Sequence, residues 1–117
     1  MLNFLEFRDA GDYEGVAHAL RPETPITGAE AYGRYGAGMI GSLATVGGRV
    51  AWSGRSVVQQ TGPGEGDWDQ IEVAVYPSTM AIMTMLALED YRAAHPHRVA
   101  GLARTRLLAT QPVDGLD

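Results

Sequence analysis

Four stretches of the chain have the apolar and polar pattern of β-strands. They are residues 2–8, 49–60, 68–76 and 104–110. In the first stretch the side chains alternate, so that Leu2 and Phe4 share one face of a strand while Leu5 and Phe7 share the other. Both faces of this strand therefore carry apolar groups that need cover from water.

The spacing of apolar residues also predicts two helices. Thr27 and Glu30 have the spacing of a capping box, which indicates that the first helix covers 28–46. Its apolar face would carry Tyr32, Tyr35, Met39 and Leu43. The second helix, at about 79–88, is apolar nearly all round and is expected to be largely buried.

The remaining segments are predicted to be irregular. Residues 9–26 are polar and contain two prolines, so they form a long connection, and 61–67 form a turn-rich link between strands. We predict a break in the helix at 89–96, after which Pro96 opens a short helical turn. Residues 111–117 are expected to form a loose tail.

The resulting order is β-α-β-β-α-β, which predicts a single ferredoxin-like α+β domain over residues 1–117. Right-handed crossovers place both helices on one face of a four-stranded antiparallel sheet. On the third strand we expect the aliphatic side chains Ile71, Val73 and Val75 to face the helices. The opposite face would then be uncovered and partly aromatic, which predicts a homodimer that packs sheet against sheet.

The composition excludes several kinds of chemistry. The chain has 117 residues, a formal net charge of −5, and neither cysteine nor lysine. It therefore lacks a thiolate nucleophile, a cysteine-bound metal and a lysine amine for Schiff-base chemistry. The acidic balance argues against nucleic acid and anionic membranes as partners. With no signal peptide and no membrane-spanning run in the sequence, we expect a cytoplasmic protein.

Five segments carry a resemblance to a known group. They are MLNFLEFRD, TPITGAEAYGRY, GGRVAWSG, WDQIEVAVYPS and EDYRAAHPHRVAGLARTRLLAT. In this order they resemble the bacterial family catalogued as domain of unknown function 1330, within the dimeric α+β barrel superfamily. The resemblance implies a ferredoxin-like fold and a homodimer. That superfamily includes cofactor-free monooxygenases, lactone isomerases and haem-dependent peroxidases, so the resemblance implies no single reaction.

The densest group of functional side chains is at residues 95–98. His97 is a candidate general base near neutral pH, and Arg98 is a candidate ligand for a carboxylate, enolate or phenolate oxygen. The structural alternative is that both residues cap the helix or stabilise its junction with the following strand. No further ligand stands at a suitable spacing, so we expect no metal site.

Glu72 is the second candidate catalytic residue. On the face away from the helices it would lie inside a dimer, with Arg8 or Arg106 as its counter-charge. The alternative is an ion pair that fixes the dimer register. The candidate ligand-binding residues are Tyr32, Tyr35, Trp52, Tyr76 and Arg98. The aromatic members of this set could equally anchor the core or the interface.

The sequence favours a dimeric α+β barrel protein that binds a small organic ligand, either aromatic or carbonyl-containing, without a metal or an organic cofactor. It leaves open whether the protein is an enzyme. A cofactor-independent oxygenase or isomerase is one hypothesis, with His97 and Glu72 as catalytic groups. The alternative is a non-catalytic ligand-binding or interaction module.

Overall fold

The computed structural model describes residues 1–62 and 68–113, which form four strands and three α-helices. In chain order they are β1 (Leu2–Phe7), α1 (Gly28–Thr45), β2 (Arg49–Arg55), β3 (Gln70–Val75), α2 (Thr79–Ala87), α3 (Glu89–Gly101) and β4 (Leu102–Leu108). The predicted connection at 9–26 is irregular apart from a short 3-10 turn at His18–Leu20. Most of the predicted link at 61–67 and the end of the predicted tail lie outside the described residues.

The strands form one antiparallel sheet in the order β2-β3-β1-β4. The register pairs Phe4 of β1 with Ile71 of β3 on one side and with Arg106 of β4 on the other. The helices α1 and α3 pack against each other on the same side of the sheet. This arrangement confirms the ferredoxin-like α+β fold predicted from the order of elements.

The capping box predicted at the start of α1 is present. Thr27 Oγ1 accepts a hydrogen bond from the backbone N–H of Glu30 at 3.0 Å and donates one to its carboxylate at 3.2 Å. Gly47 follows the end of the helix with a φ of +80°, a conformation that favours glycine. The predicted apolar face is also confirmed, because all four of its members are buried: Tyr32, Tyr35, Met39 and Leu43.

We expect Thr27→Ala to lower the free energy of unfolding by about 1 kcal/mol, because the N–H of Glu30 loses its side-chain acceptor. Thr27→Ser keeps the hydroxyl group and is the matched control, which should remain close to the unchanged protein. Urea denaturation followed by circular dichroism measures both. Equal losses in the two variants would show that the hydroxyl does not stabilise the helix.

The predicted break at 89–96 is wrong, because α3 runs continuously from Glu89 to Gly101 with Pro96 in its interior. The interruption is a single residue, Leu88, whose ψ of 139° is extended. Glu89 and Asp90 then fill the first turn, where carboxylates interact favourably with the helix dipole.

The part of α3 that contains the proline packs closely against α1. A Cβ atom added at Gly38 of α1 would lie only 2.8 Å from the Cβ of Ala94, which is buried in α3. The penalty of a proline within a helix is local. The packing partner that favours the helix lies on a different element, and the sequence pattern does not show it.

The face of β3 that contacts the helices is the opposite of the predicted one. Ala74 is buried and Glu72 contacts Tyr32 of α1, so Ile71 and Val73 point away from the helices. Alternation determines which residues share a face, but it does not determine which face the helices cover. On β3, the uncovered side of the sheet is therefore the aliphatic one.

This uncovered side, the open face, carries both apolar and charged side chains. Its large apolar side chains are Leu2, Phe4, Trp52, Ile71, Val73, Val75 and Leu108. Trp68 packs on Phe4 with 5.6 Å between ring centroids, and the guanidinium of Arg104 lies 4.1 Å from the centre of the Trp68 ring. Arg104 also forms an ion pair with Glu6 at 2.9 Å.

The helix α2 is less buried than predicted. Met80 and Met83 are 67% and 60% exposed, and only Ala81 and Met85 of this helix are buried. An apolar sequence indicates which side chains favour burial, but not how many neighbours the fold provides.

The described helices include none with the length and apolar character needed to cross a bilayer.

Candidate functional site

A cavity of about 390 Å³ lies between the sheet and the helices, and we call it the central cavity. Part of its wall is apolar, with Met39 from α1 and Ile82 and Met85 from α2. Its titratable side chains are Tyr32, Tyr35, Glu72, Tyr76, Tyr91, His95 and Arg98. An apolar cavity with a few convergent polar groups is the usual form of a small-molecule site.

Glu72 projects from β3 into the central cavity, on the helix side of the sheet, and the prediction that it faces the dimer side is wrong. Its Oε1 accepts a hydrogen bond from the Gln70 side-chain amide at 2.7 Å, and its Oε2 accepts one from the Tyr32 hydroxyl at 3.4 Å. Burial raises the pKa of Glu72, while these hydrogen bonds and the charge of Arg98 offset the rise in part.

The raised pKa of Glu72 predicts a pH-dependent effect on stability. A carboxyl group with a higher pKa in the folded state contributes stability that is fully present below its unfolded pKa of 4.5 and is lost as the pH rises through the folded value. Glu72→Gln cannot ionise and avoids this loss. The melting temperature of the variant, relative to the unchanged protein, should therefore rise between about pH 4 and pH 8.

The exposed residue Glu23 provides the control for this measurement. Glu23→Gln should change the melting temperature little, because the side chain is exposed. A difference for Glu72→Gln that stays constant across the same pH range would contradict the effect of burial on its carboxyl group.

Four tyrosine hydroxyl groups line the central cavity. The Tyr35 hydroxyl donates to that of Tyr91 at 3.3 Å, and the rings of Tyr32 and Tyr35 are 5.4 Å apart. Burial raises the pKa of Tyr32, Tyr35 and Tyr76. These hydroxyls therefore stay protonated at neutral pH. Those of Tyr32 and Tyr35 already donate to protein acceptors, whereas that of Tyr76 can donate to an oxygen atom of a ligand.

Arg98 brings a guanidinium to the central cavity. Its guanidinium carbon lies 6.0 Å from the centre of the Tyr35 ring, and its Nη2 donates to Thr105 Oγ1 at 3.3 Å. Within residues 1–62 and 68–113, no carboxylate lies within ion-pair distance of it. A guanidinium carries five N–H donors, so Arg98 has donors available for a ligand.

The predicted counter-charges of Glu72 are elsewhere in the fold. Arg106 lies on the open face, 5.7 Å from the centre of the Trp68 ring, and the side chain of Arg8 is exposed. The positive charge that acts on Glu72 is that of Arg98. The wrong counter-charges were predicted because alternation does not show which face of a strand the helices cover. A wrong choice of face places every predicted partner on the wrong side of the sheet.

His97, the predicted general base, does not line the central cavity. It faces the connection 9–26, where its Nδ1 lies 2.7 Å from the hydroxyl of Tyr13. Burial, followed by the charge of Arg34, lowers the pKa of His97. The contact ties the connection to α3, and a catalytic role for His97 stays a prediction.

Trp52 is also separated from the other candidate ligand residues. Its side chain lies on the open face and is 56% exposed. The structure thus brings together four of the five predicted ligand-binding residues, together with Glu72, and leaves Trp52 outside.

Two further residues with titratable side chains line the central cavity, Tyr91 and His95, and the sequence pattern did not assign them to a ligand site. In a continuous α3 they precede Arg98 by seven and three positions, a spacing that places all three on one helix face. The predicted break at 89–96 concealed this spacing. Within the described parts of the chain, no three His, Asp or Glu side chains converge to hold a metal ion.

Two broader depressions occur elsewhere on the described surface. One, of about 770 Å³, is lined by the exposed side chains of Arg8, Arg55 and Asp69. The other, of about 910 Å³, lies between Pro77 and residues 109–112 and has no charged side chain in its described lining. The central cavity is the better candidate because its polar groups are partly desolvated.

Two crystal structures of the protein RPA0582 are similar to this chain over almost its whole length. The structure of methylated RPA0582 has a TM-score of 0.85 and 32% sequence identity, covering 99% of this chain and 81% of the other. The second, of RPA0582 as a protein of unknown function from Rhodopseudomonas palustris, has a TM-score of 0.82 and 32% identity, covering 97% and 80%. No protein-family model matches the chain, and no curated protein matches it significantly. Membership of the family with domain of unknown function 1330 stays a prediction.

Proposed function

The chain belongs to the same family as RPA0582 of Rhodopseudomonas palustris, and we propose that it binds a small aromatic or carbonyl compound in the central cavity. The observation that supports this most strongly is Arg98, a guanidinium in a partly apolar cavity with no ion-pair partner among the described residues. Arg98 is only partly exposed and donates to Thr105, so the oxygen of a ligand would supply an acceptor for its remaining N–H groups.

The apolar wall supports the same class of ligand. Met39 and Met85 are buried side chains that can adapt to a flat surface, and the Tyr35 ring lies beside Arg98. A ligand with a ring system and one carbonyl or phenolic oxygen would satisfy both parts of the cavity.

The same groups could catalyse proton transfer in a cofactor-independent isomerase. Glu72 would remove a proton from the carbon next to a carbonyl group, and the electron pair would move onto the carbonyl oxygen. Arg98 would stabilise that oxygen, and return of the proton to a different carbon completes an isomerisation with no redox change. An oxygenase would need O₂ as a second substrate. In this proposal Glu72 takes the role of base that the sequence analysis predicted for His97.

Binding of 2-naphthol, measured by isothermal titration calorimetry, tests the proposed site. Arg98→Met should weaken binding by about tenfold or more, since a hydrogen bond to a charged group contributes about 1.5–3 kcal/mol. Arg92→Met changes an exposed arginine of the same helix and should have no effect. The proposal fails if the unchanged protein does not bind 2-naphthol, or if both variants weaken binding equally.

A non-catalytic binding module is the second candidate function. It is supported by the two hydrogen bonds that already occupy both oxygen atoms of Glu72. Exchange of the acidic C–H protons of 2-indanone in D₂O separates the two candidates. An isomerase should accelerate this exchange and Glu72→Gln should not, whereas binding of 2-indanone without acceleration by either protein would favour the module.

We also propose that a second copy of the chain covers the open face. Val73 and Phe4 lie at neighbouring positions in the middle of the sheet, and Trp52 and Leu108 on the outer strands are about half exposed. The face also carries both signs of charge, Glu6 beside Arg104, so that two copies about a two-fold axis can place opposite charges together.

Sedimentation equilibrium at micromolar concentration tests this interface. We expect a dimer that Val73→Arg converts into a folded monomer, because a charge would be buried at the centre of the contact. Val57→Arg is the control, since Val57 is 92% exposed and lies outside the strands. A folded monomer of the unchanged protein, or equal dissociation of both variants, would contradict the proposed dimer.

A further inference from the structure

We propose that Gly36 sets the size limit of the ligand in the central cavity and leaves room for a second ring. This inference rests on the proposed function, because it concerns how much of an aromatic compound the same cavity accepts. Gly36 lies in the interior of α1 and lines the cavity. It is the position on this wall that provides no side chain.

The backbone of the protein does not require a glycine at this position. The φ angle of Gly36 is not positive, and a Cβ atom added there would meet no other element and no side chain within 4 Å. Glycine in a helix interior costs about 1 kcal/mol relative to alanine. Gly38 of the same helix differs, because its missing Cβ allows the close approach of Ala94. The space at Gly36 is therefore open to a ligand and is not filled by packing.

The surroundings of this space suit a ring. Ile40 lies one turn further along α1, Leu86 of α2 also lines the cavity, and the two side chains are 53% and 47% exposed. Gly36 thus lies beside the partly exposed apolar border of the cavity. In this proposal, a ligand whose oxygen binds Arg98 extends its ring system past Gly36 towards this border.

Two other glycines of α1 provide matched controls. Gly33 and Gly41 are exposed, do not line the central cavity, and would also meet nothing within 4 Å if a Cβ atom were added. Alanine or leucine at any of the three positions should favour the helix to a similar extent. Only substitution at Gly36 should change ligand size selection.

The experiment compares the affinities of phenol and 2-naphthol by calorimetry. Gly36→Leu should weaken 2-naphthol binding by about tenfold or more while changing phenol binding much less, because a hydrophobic pocket discriminates by size to about this degree. Gly36→Ala should cause a smaller loss in the same direction. Gly33→Leu and Gly41→Leu should bind both compounds as the unchanged protein does.

The outcomes separate this inference from the proposed function. If the unchanged protein binds 2-naphthol and Gly36→Leu and Gly36→Ala bind it equally well, the role of Gly36 is overturned while the ligand site stands. If the unchanged protein binds neither compound, the proposed function fails and this inference fails with it. If Gly36→Leu does not fold, selective weakening of 2-naphthol by Gly36→Ala supports the inference, and unchanged binding overturns it.

Discussion

Gly28→Ala is expected to lower the free energy of unfolding by about 3 kcal/mol, the upper part of the usual range for overpacking. At this glycine the start of α1, the end of β1 and the end of α3 meet through their backbones. Gly28 N donates to the Arg8 carbonyl at 3.0 Å, and Arg8 N donates to the Gly101 carbonyl at 2.8 Å. An added Cβ would overlap the Arg8 carbonyl oxygen and lie 2.7 Å from the Gly101 oxygen.

The atoms around Gly28 cannot move aside as a flexible side chain can. Relief of the overlap would separate the strand from both helices and weaken the two hydrogen bonds. The melting temperature should fall by about 10 °C or more for a domain of this size. Gly33→Ala, an exposed position with free space, should instead stabilise the protein by up to about 1 kcal/mol. Thermal denaturation showing equal changes for the two variants would contradict this packing.

Leu43→Ala should also cost about 3 kcal/mol, because it removes a fully buried side chain from the main core. Leu43 lies near the end of α1 and belongs to the cluster that contains Leu5 of β1 and Met85 of α2. The variant loses the transfer free energy of the deleted carbons and also leaves a cavity that its neighbours fill only in part.

Ile40→Ala is the matched control for Leu43→Ala on the same helix. Ile40 is 53% exposed, so its truncation should cost less than about 1 kcal/mol. Urea denaturation at constant protein concentration compares the two variants. Similar losses at both positions would contradict the assignment of Leu43 to the core.

The features that the sequence predicted correctly are those with local causes. The capping box of Thr27, the glycine after α1 and the alternation of β1 each depend on residues within a few positions of one another. The order of these elements was sufficient for the ferredoxin-like fold, because crossover handedness leaves few alternatives. The continuity of α3 was missed because the contact between Gly38 and Ala94 joins distant parts of the chain.

The candidate site was predicted in part and for an incorrect geometric reason. Glu72 and Arg98 were identified as functional groups, but Glu72 was assigned to the chamber between two sheets. The structure places both residues between the sheet and the helices of one chain. His97 and His95 are two positions apart on α3, and only His95 lines the cavity. Without the prediction that α3 is continuous, the sequence does not show which of the two histidines lines the cavity.

Backbone chemical-shift mapping with 2-naphthol tests the ligand site most directly. In spectra of ¹⁵N-labelled protein, we expect saturable shifts that are largest around Tyr35, Gly36, Glu72 and Arg98, which line the central cavity. Saturable shifts confined to the open face around Trp52, or no saturable shifts at all, would contradict binding between the sheet and the helices.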